Sequence, residues 1–343
     1  MARAQTDPIE YFLEDVTLHG RNVRTHQAYE RVLNGYADFL QEERGVSPST
    51  ATYRDCMAWV HHLRANHADS TIATYASYLN RFYTYLERVG ELSDNPMGLV
   101  VEEMDESIDT NPSRRDLSVG DMQTFLENIR HPLHRTIVVT MLKTGIRSGE
   151  LCNLDLPDIQ LADPSQWWEP RAQLTNRDAA IFVSTAHTYG QRSGGVERTA
   201  SNKRKRETII PVDDELAFEL RRWLSARPDA ASSVEPLFLG TSGSWGRRLT
   251  PDRVHRIVTD YSREAGWYHD GGNSSENVTP HYFRHFFTTH LRDRTGDRGV
   301  VKYLRGDVAD DIIDTYTHDW GDRIRRTYLD SIYSLTPQDY RAR

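Results

Sequence analysis

The sequence predicts a mainly α-helical fold with a small antiparallel β-sheet, arranged as a helical amino-terminal block and a mixed α/β carboxy-terminal part. Three observations predict it. Residues 6–95 carry apolar stripes at helical spacing. Residues 94–118 carry Pro, Asp and Asn with no sustained period. Beyond them, helical patterns flank two short segments rich in β-branched residues.

In "THQAYERVLNGYADFLQEERG", Tyr29, Val32, Leu33, Tyr36 and Leu40 share one face, and Gly45 ends the helix. "SPSTATYRDCMAWVHHLRAN" is a helix opened by a Ser/Thr cap. "TIATYASYLNRFYTYLERVG" sets Ile72, Tyr75, Leu79, Phe82 and Leu86 at helical spacing. These stripes are core positions of a compact block of about four helices. An exposed linker follows, so the expected division is 1–100, a linker at 101–113, and 114–343. The second part opens with a capped helix, "SVGDMQTFLENI", and a largely buried one, "HRTIVVTMLKTG", ending at Gly145. "AAIFVSTA" and "ETIIPV" read as strands, with the Gly- and Ser-rich, then basic, "HTYGQRSGGVERTASNKRKR" between them. Helices return from about residue 251.

The chain has 343 residues, 38% hydrophobic and 27% charged, which is the balance of a soluble globular protein of two ordinary domains. No apolar run approaches the length of about 20 residues that a membrane helix needs. The start lacks the apolar stretch of a secretory signal, so a cytoplasmic protein with no membrane partner is expected. Two cysteines, Cys56 and Cys152, make neither a disulfide framework nor a metal site. A net charge of −8 argues mildly against a polyanionic partner. Local basic faces decide that question, however, and "SNKRKRE" and "GDRIRRTY" are two candidates.

Four places carry candidate chemistry. In "KTGIRSGELCNL", Gly145 allows a tight turn, Arg147 opens a helix, and Glu150 lies one turn on, able to fix the guanidinium. Taken alone, this is also what a surface ion pair looks like. Lys203 lies on a basic turn between the two strands, where it can swing toward a ligand or simply be a solvated charge. In "TPHYFRHFFTTHL", His281, Arg284 and His285 are helical neighbours. An arginine that stays charged beside an imidazole that titrates near neutrality suits a phosphate. Zinc is disfavoured there, because two histidines without a nearby Cys or Glu are too few ligands. In "YLRGDVADDIIDTYTHDW", Tyr316 sits in a polar setting after a Gly turn, although the chain has 17 tyrosines and most have ordinary packing roles.

The order of these places carries more weight than any one of them. "TGIRSGEL", Lys203 eight residues before Pro211, "HYFRH", then "LRGD" with Tyr316 nine residues after Asp307 in "IIDTYTH" resemble the tyrosine recombinase (phage integrase) family over nearly the whole chain. The helices before the linker resemble its core-binding domain. The resemblance implies a helical, SAM-like DNA-binding domain and a catalytic domain of the DNA breaking-rejoining type. It implies an enzyme that cleaves and rejoins DNA through a 3′-phosphotyrosyl bond, without metal, ATP, other cofactor or small-molecule substrate.

By the same resemblance Arg147 and Arg284 grip the non-bridging phosphate oxygens, and Lys203 protonates the leaving 5′-oxygen. His281 donates to the phosphate or takes the phenol proton, and Tyr316 attacks. Glu150 orients Arg147, and His285 is a supporting residue. The partner implied is double-stranded DNA, held by four protomers on two sites. Asp307 departs from the pattern, which has His or Trp there: an ionised carboxylate cannot donate to a phosphate. Two uses are open, a buttress to His281 or Arg284, with His318 or Trp320 supplying the donor. Tyr328 is the other candidate nucleophile. The alternatives to recombination are relaxation of the type IB topoisomerase kind and a catalytically impaired DNA-binding relative.

Overall fold

A computed structural model of the chain describes residues 7–18, 23–108, 112–193, 196–199, 202–307 and 320–336. The chain divides into two compact units, Met1–Pro112 and Ser113–Arg343.

The first unit holds α1 (Pro8–Leu18), α2 (Val23–Phe39), α3 (Tyr53–Arg64), α4 (Asp69–Arg88) and α5 (Gly98–Glu103). The stripes read from the sequence form its core. Tyr29, Val32, Leu33, Tyr36 and Leu40 are buried against Ile72, Leu79, Phe82 and Leu86, with Tyr75 partly buried beside them. A turn of π-helix, Leu40–Arg44, closes α2, and Gly45 stops it in the left-handed region at φ 65°. Burying tyrosine hydroxyls requires partners, and they find one another: Tyr36 Oη lies 2.8 Å from Tyr83 Oη and 3.3 Å from Cys56 Sγ. One difference concerns the stretch 94–118. Its Pro and Asp residues mask a short helix, α5, whose Val100 is fully buried and whose flanking Met97 joins the same core.

The second unit is built around α7 (Pro132–Thr144), which follows α6 (Val119–Glu127). Leu133, Ile137, Val138, Val139, Met141 and Leu142 bury it on every side, as an all-round apolar helix requires. α9 (Asp214–Ala226) and α11 (Pro280–Thr295) pack on it. Between α8 (Ser148–Asn153) and α9 runs the sheet, order β1 (Ile159–Gln160), β2 (Ala180–Val183), β5 (Thr208–Pro211), all antiparallel. Phe182 pairs with Ile209 and Ala180 with Pro211 at the strand's end. β1 has two residues, too short to show a period. A separate hairpin, β3 (Arg192–Ser193) and β4 (Val196–Glu197), occupies the stretch read as a Gly- and Ser-rich connection. α10 (Pro251–Glu264), α12 (Arg298–Arg305) and α13 (Trp320–Ser331) complete the unit.

A buried ion cluster ties its end to its centre. Lys143, at the end of α7 and fully buried, reaches Asp213 at 2.6 Å, Glu215 at 2.7 Å and the Tyr333 carbonyl at 2.6 Å. Burial works against ionisation of Glu215, yet Lys143 and the N–H of Leu335 outweigh it and hold the carboxyl down at about 2.

Candidate active site

The loop between α7 and α8 begins the site. Gly145 stands at φ 62°, and a Cβ there would come within 2.3 Å of the Phe287 ring. The glycine therefore serves both the turn and the close approach of α11. Two residues on, Arg147 caps α8. Its N–H donates to Glu150 Oε2 at 2.9 Å and its guanidinium to Oε1 at 2.9 Å. Glu150 is buried, so this is no solvated surface pair. Its Oε2 also meets the Nε of Arg204 at 3.3 Å, with both side chains wholly enclosed.

α11 delivers Arg284 to the same place. It is 3% exposed and donates to the Gly145 carbonyl at 2.7 Å, the Arg305 carbonyl at 3.0 Å and Asp307 Oδ1 at 3.0 Å. Asp307 Oδ1 also accepts from Arg147 at 3.4 Å, and its Oδ2 lies 2.9 Å from Arg305 Nε. One carboxylate thus joins three guanidinium groups from three elements. The turn that holds it is specified by Gly306 at φ 69°, where a Cβ would strike the Arg204 side chain at 2.7 Å. The N–H of Asp307 donates back to the Lys302 carbonyl at 3.0 Å, closing α12. A carboxylate past a helix's carboxy terminus opposes the helix dipole, and the three arginines offset that.

The two open uses of Asp307 separate here: it contacts Arg284 and Arg147, and no hydrogen bond or ion pair joins it to His281. Burial, then the neighbouring Arg147 and Arg305, push the Arg284 guanidinium down to about 9, still cationic at neutral pH. His281, at the first turn of α11, is open to solvent on one side. Partial burial and the charges of Arg114, Arg284, Arg147 and Arg305 lower its pKa, so the imidazole is neutral at pH 7. His285 is half-buried, and burial followed by Arg114 and Arg305 lowers it as well.

Lys203 lies between the paired strands β2 and β5, on the stretch that leads into β5. It is exposed between two buried anchors, Asn202 and Arg204. Asn202 accepts from the Asn153 amide at 3.0 Å and donates to the Ser184 carbonyl at 2.9 Å. Arg204 donates to the Leu304 carbonyl at 2.9 Å. These anchors set the lysine backbone beside α8 and the end of α12.

The two candidate nucleophiles also part. Tyr328 is fully buried, its hydroxyl donating to the Lys143 carbonyl at 2.9 Å, and burial raises its pKa well above the ordinary phenol value. A phenol so enclosed and hard to ionise is a packing residue. Tyr316 and His318 lie outside the described residues. Sequence reasoning passed over Arg305 and Arg114. Arg305 was visible in "LRGD" as a cation two residues before an unexpected anion; Arg114 stood in "PSRRD" with no motif to mark it.

The sequence profile of the Phage integrase family matches residues 117–321, and that of the phage integrase N-terminal SAM-like domain matches residues 9–90. The chain belongs to the phage integrase family. Among relatives of known name, tyrosine recombinase XerC of Chromobacterium violaceum is 25% identical over 307 residues, covering 88% of this chain and 86% of its own. Tyrosine recombinase XerA of Pyrococcus furiosus is 26% identical over 323 residues, 91% of this chain and 90% of its own. In fold, the chain is similar to the Tn1549 transposon integrase solved with transposon right end DNA, with a TM-score of 0.65 at 19% identity, covering 94% of this chain and 98% of that one. It is also similar to a lambda integrase dimer bound to a core site, with a TM-score of 0.60 at 14% identity, covering 92% and 98%. Phage integrase membership accounts for the mainly helical build with its small antiparallel sheet.

Proposed function

We propose that this phage integrase family member is a site-specific DNA recombinase, an enzyme that transfers DNA strands through a 3′-phosphotyrosyl intermediate. The observation that carries the reading is the convergence of Arg147 and Arg284 on one carboxylate oxygen, at 3.4 and 3.0 Å. Two guanidinium groups that share a carboxylate oxygen can share a phosphate oxygen. The names of the relatives support recombination over relaxation of supercoils.

The chemistry follows from charge. A phenol attacking a phosphodiester must lose a proton near a group already negative, and the transition state adds charge to the non-bridging oxygens. Fixed cations at those oxygens lower the barrier by roughly 3 kcal/mol for each well-placed donor. Arg147, stiffened by Glu150, and Arg284, stiffened by two backbone carbonyls, are such donors. His281, neutral at pH 7, accepts the phenol proton or donates one N–H to the phosphate. Lys203, exposed on an anchored backbone, protonates the departing 5′-oxygen. Tyr316 is the attacking residue, favoured by its spacing from Asp307 and by the burial of Tyr328. His285 supports the helix face behind the phosphate. The amino-terminal unit binds the duplex, and the chain acts in the cytoplasm. Four protomers work on two sites; a lambda integrase tetramer bound to a Holliday junction shares this fold.

The test is covalent capture. The full chain is incubated, with a chelator present, with a pool of nicked duplexes of randomised sequence, and protein–DNA adducts are recovered after denaturation. A DNA-modified peptide containing Tyr316 is the expected result. No adduct from any duplex, or an adduct on another tyrosine, overturns the reading or the choice of nucleophile respectively.

A further inference from the structure

We infer that Arg305 is a third phosphate-binding residue and supplies the donor that Asp307 cannot. The inference rests on the recombinase reading above.

Three features of the site lead to it. The first is access. Of the four arginines, Arg284 and Arg204 are enclosed, with side chains 3% and 0% exposed, whereas Arg147 and Arg305 reach solvent at 29% and 30%. A phosphate entering from solution meets the outer pair first.

The second is the state of the donors. Arg284 already donates to two carbonyls and Asp307. Arg147 donates to Glu150 and Asp307. Arg305 lies 2.9 Å from Asp307 Oδ2, yet its buried Nε–H is not aligned on that oxygen, and among the described residues its guanidinium makes no aligned hydrogen bond. The N–H groups on its two terminal nitrogens are therefore still available to a ligand, whereas the Nε and Nη2 of Arg204, likewise without an aligned hydrogen bond, are enclosed.

The third is charge. Arg147, Arg204, Arg284 and Arg305 against Glu150 and Asp307 leave a surplus of two positive charges, four minus two. Without Arg305 the surplus is one. A pentacoordinate phosphorane carries about two negative charges, one more than the diester, so the second cation matters in the transition state more than in the ground state. Asp307 then has a definite task. It sits between three like charges, keeps them together, and aims Arg305 across the mouth of the site. "LRGD" works as a unit in which the cation two residues earlier replaces a donor at the turn itself.

The experiment compares Arg305→Ala and the shorter, neutral but polar Arg305→Gln with the unaltered chain, using a captured duplex and its counterpart with an uncharged methylphosphonate at the cleaved position. Adduct formation on phosphate should slow about 100-fold or more in both variants. On methylphosphonate, which needs less charge neutralisation, the deficit should shrink to within about tenfold. Arg305→Lys should lie between. Non-covalent affinity for the duplex and the melting temperature check folding, and Arg305→Gln serves if Arg305→Ala is unstable. Rates within threefold of the unaltered chain on phosphate, or an equal loss on both substrates, overturn the role of Arg305 while leaving the recombinase reading in place. Failure of the unaltered chain to form any adduct overturns both.

Discussion

Replacing Glu150 by alanine should cost this protein more stability than any single change at an exposed charge. The carboxylate has three duties: it caps α8 through the Arg147 N–H, pairs with the Arg147 guanidinium, and is the counter-ion of Arg204, whose side chain is 0% exposed. Loss of the cap is worth about 1 kcal/mol. Leaving a buried guanidinium without its anion is worth about 3–5 kcal/mol. The sum, about 4–6 kcal/mol, is a large part of a typical folding free energy. For a unit the size of Ser113–Arg343, each kcal/mol moves the melting temperature by roughly 2–4 °C, so a fall of roughly 8–24 °C is expected.

Thermal unfolding followed by circular dichroism reads this directly. A double change, Glu150→Gln with Arg204→Met, removes both buried charges and should recover most of the loss, because an apolar replacement of a buried pair is often neutral. A fall of under about 3 °C for Glu150→Ala, or a double variant no more stable than Glu150→Gln alone, would refute the claim that Arg204 depends on this carboxylate.

Other outcomes follow from the same geometry. Tyr316→Phe should abolish the covalent adduct, whereas Tyr328→Phe should retain it and lose about 1 kcal/mol for the missing hydrogen bond to Lys143, measured by denaturant unfolding. Gly306→Ala meets both a positive φ and the Arg204 side chain, so it should destabilise by about 2 kcal/mol or more and slow adduct formation by displacing Asp307. Because the pKa of His281 is lowered, an acceptor role for the neutral imidazole predicts adduct formation that is level through neutral pH and falls only below about 6.5, whereas a donor role predicts no such fall; a pH–rate midpoint above that value would exclude the acceptor role. His134 is pushed down to about 4 by burial and by His131, so between about 6.5 and 4 the unfolded chain binds a proton that the folded chain does not. Stability should decline as pH drops through that window, and His134→Phe should flatten the decline.

Much of this was legible in the sequence, for physical reasons that differ by element. The helical stripes of the first unit were visible because one buried face imposes a period, and Tyr29, Val32 and Leu33 obey it. α7 showed as an apolar run because it is buried all round. β2 and β5 showed through Ile and Val, whereas β1 escaped because two residues cannot display alternation. The helix α5 escaped because Asp94 and Pro96 stand in the bend and turn that lead into it. Within the site, the Arg147–Glu150 pair was readable, being one helical turn apart. The link from Glu150 to Arg204 spans 54 positions (204 minus 150), and that from Asp307 to Arg147 spans 160; no local pattern marks either. The turn around Lys203 reads as solvated from its Ser and basic residues; the burial of Asn202 and Arg204 on either side of it depends on partners far along the chain.

The layering of the arginines, two at the mouth and two behind, has a chemical corollary. An arginine-selective dicarbonyl reagent needs an accessible guanidinium, so Arg147 and Arg305 should be modified quickly and Arg284 and Arg204 only after unfolding. Protection of the outer two by an added duplex would then map occupancy of the mouth by mass spectrometry, even where no strand is cut.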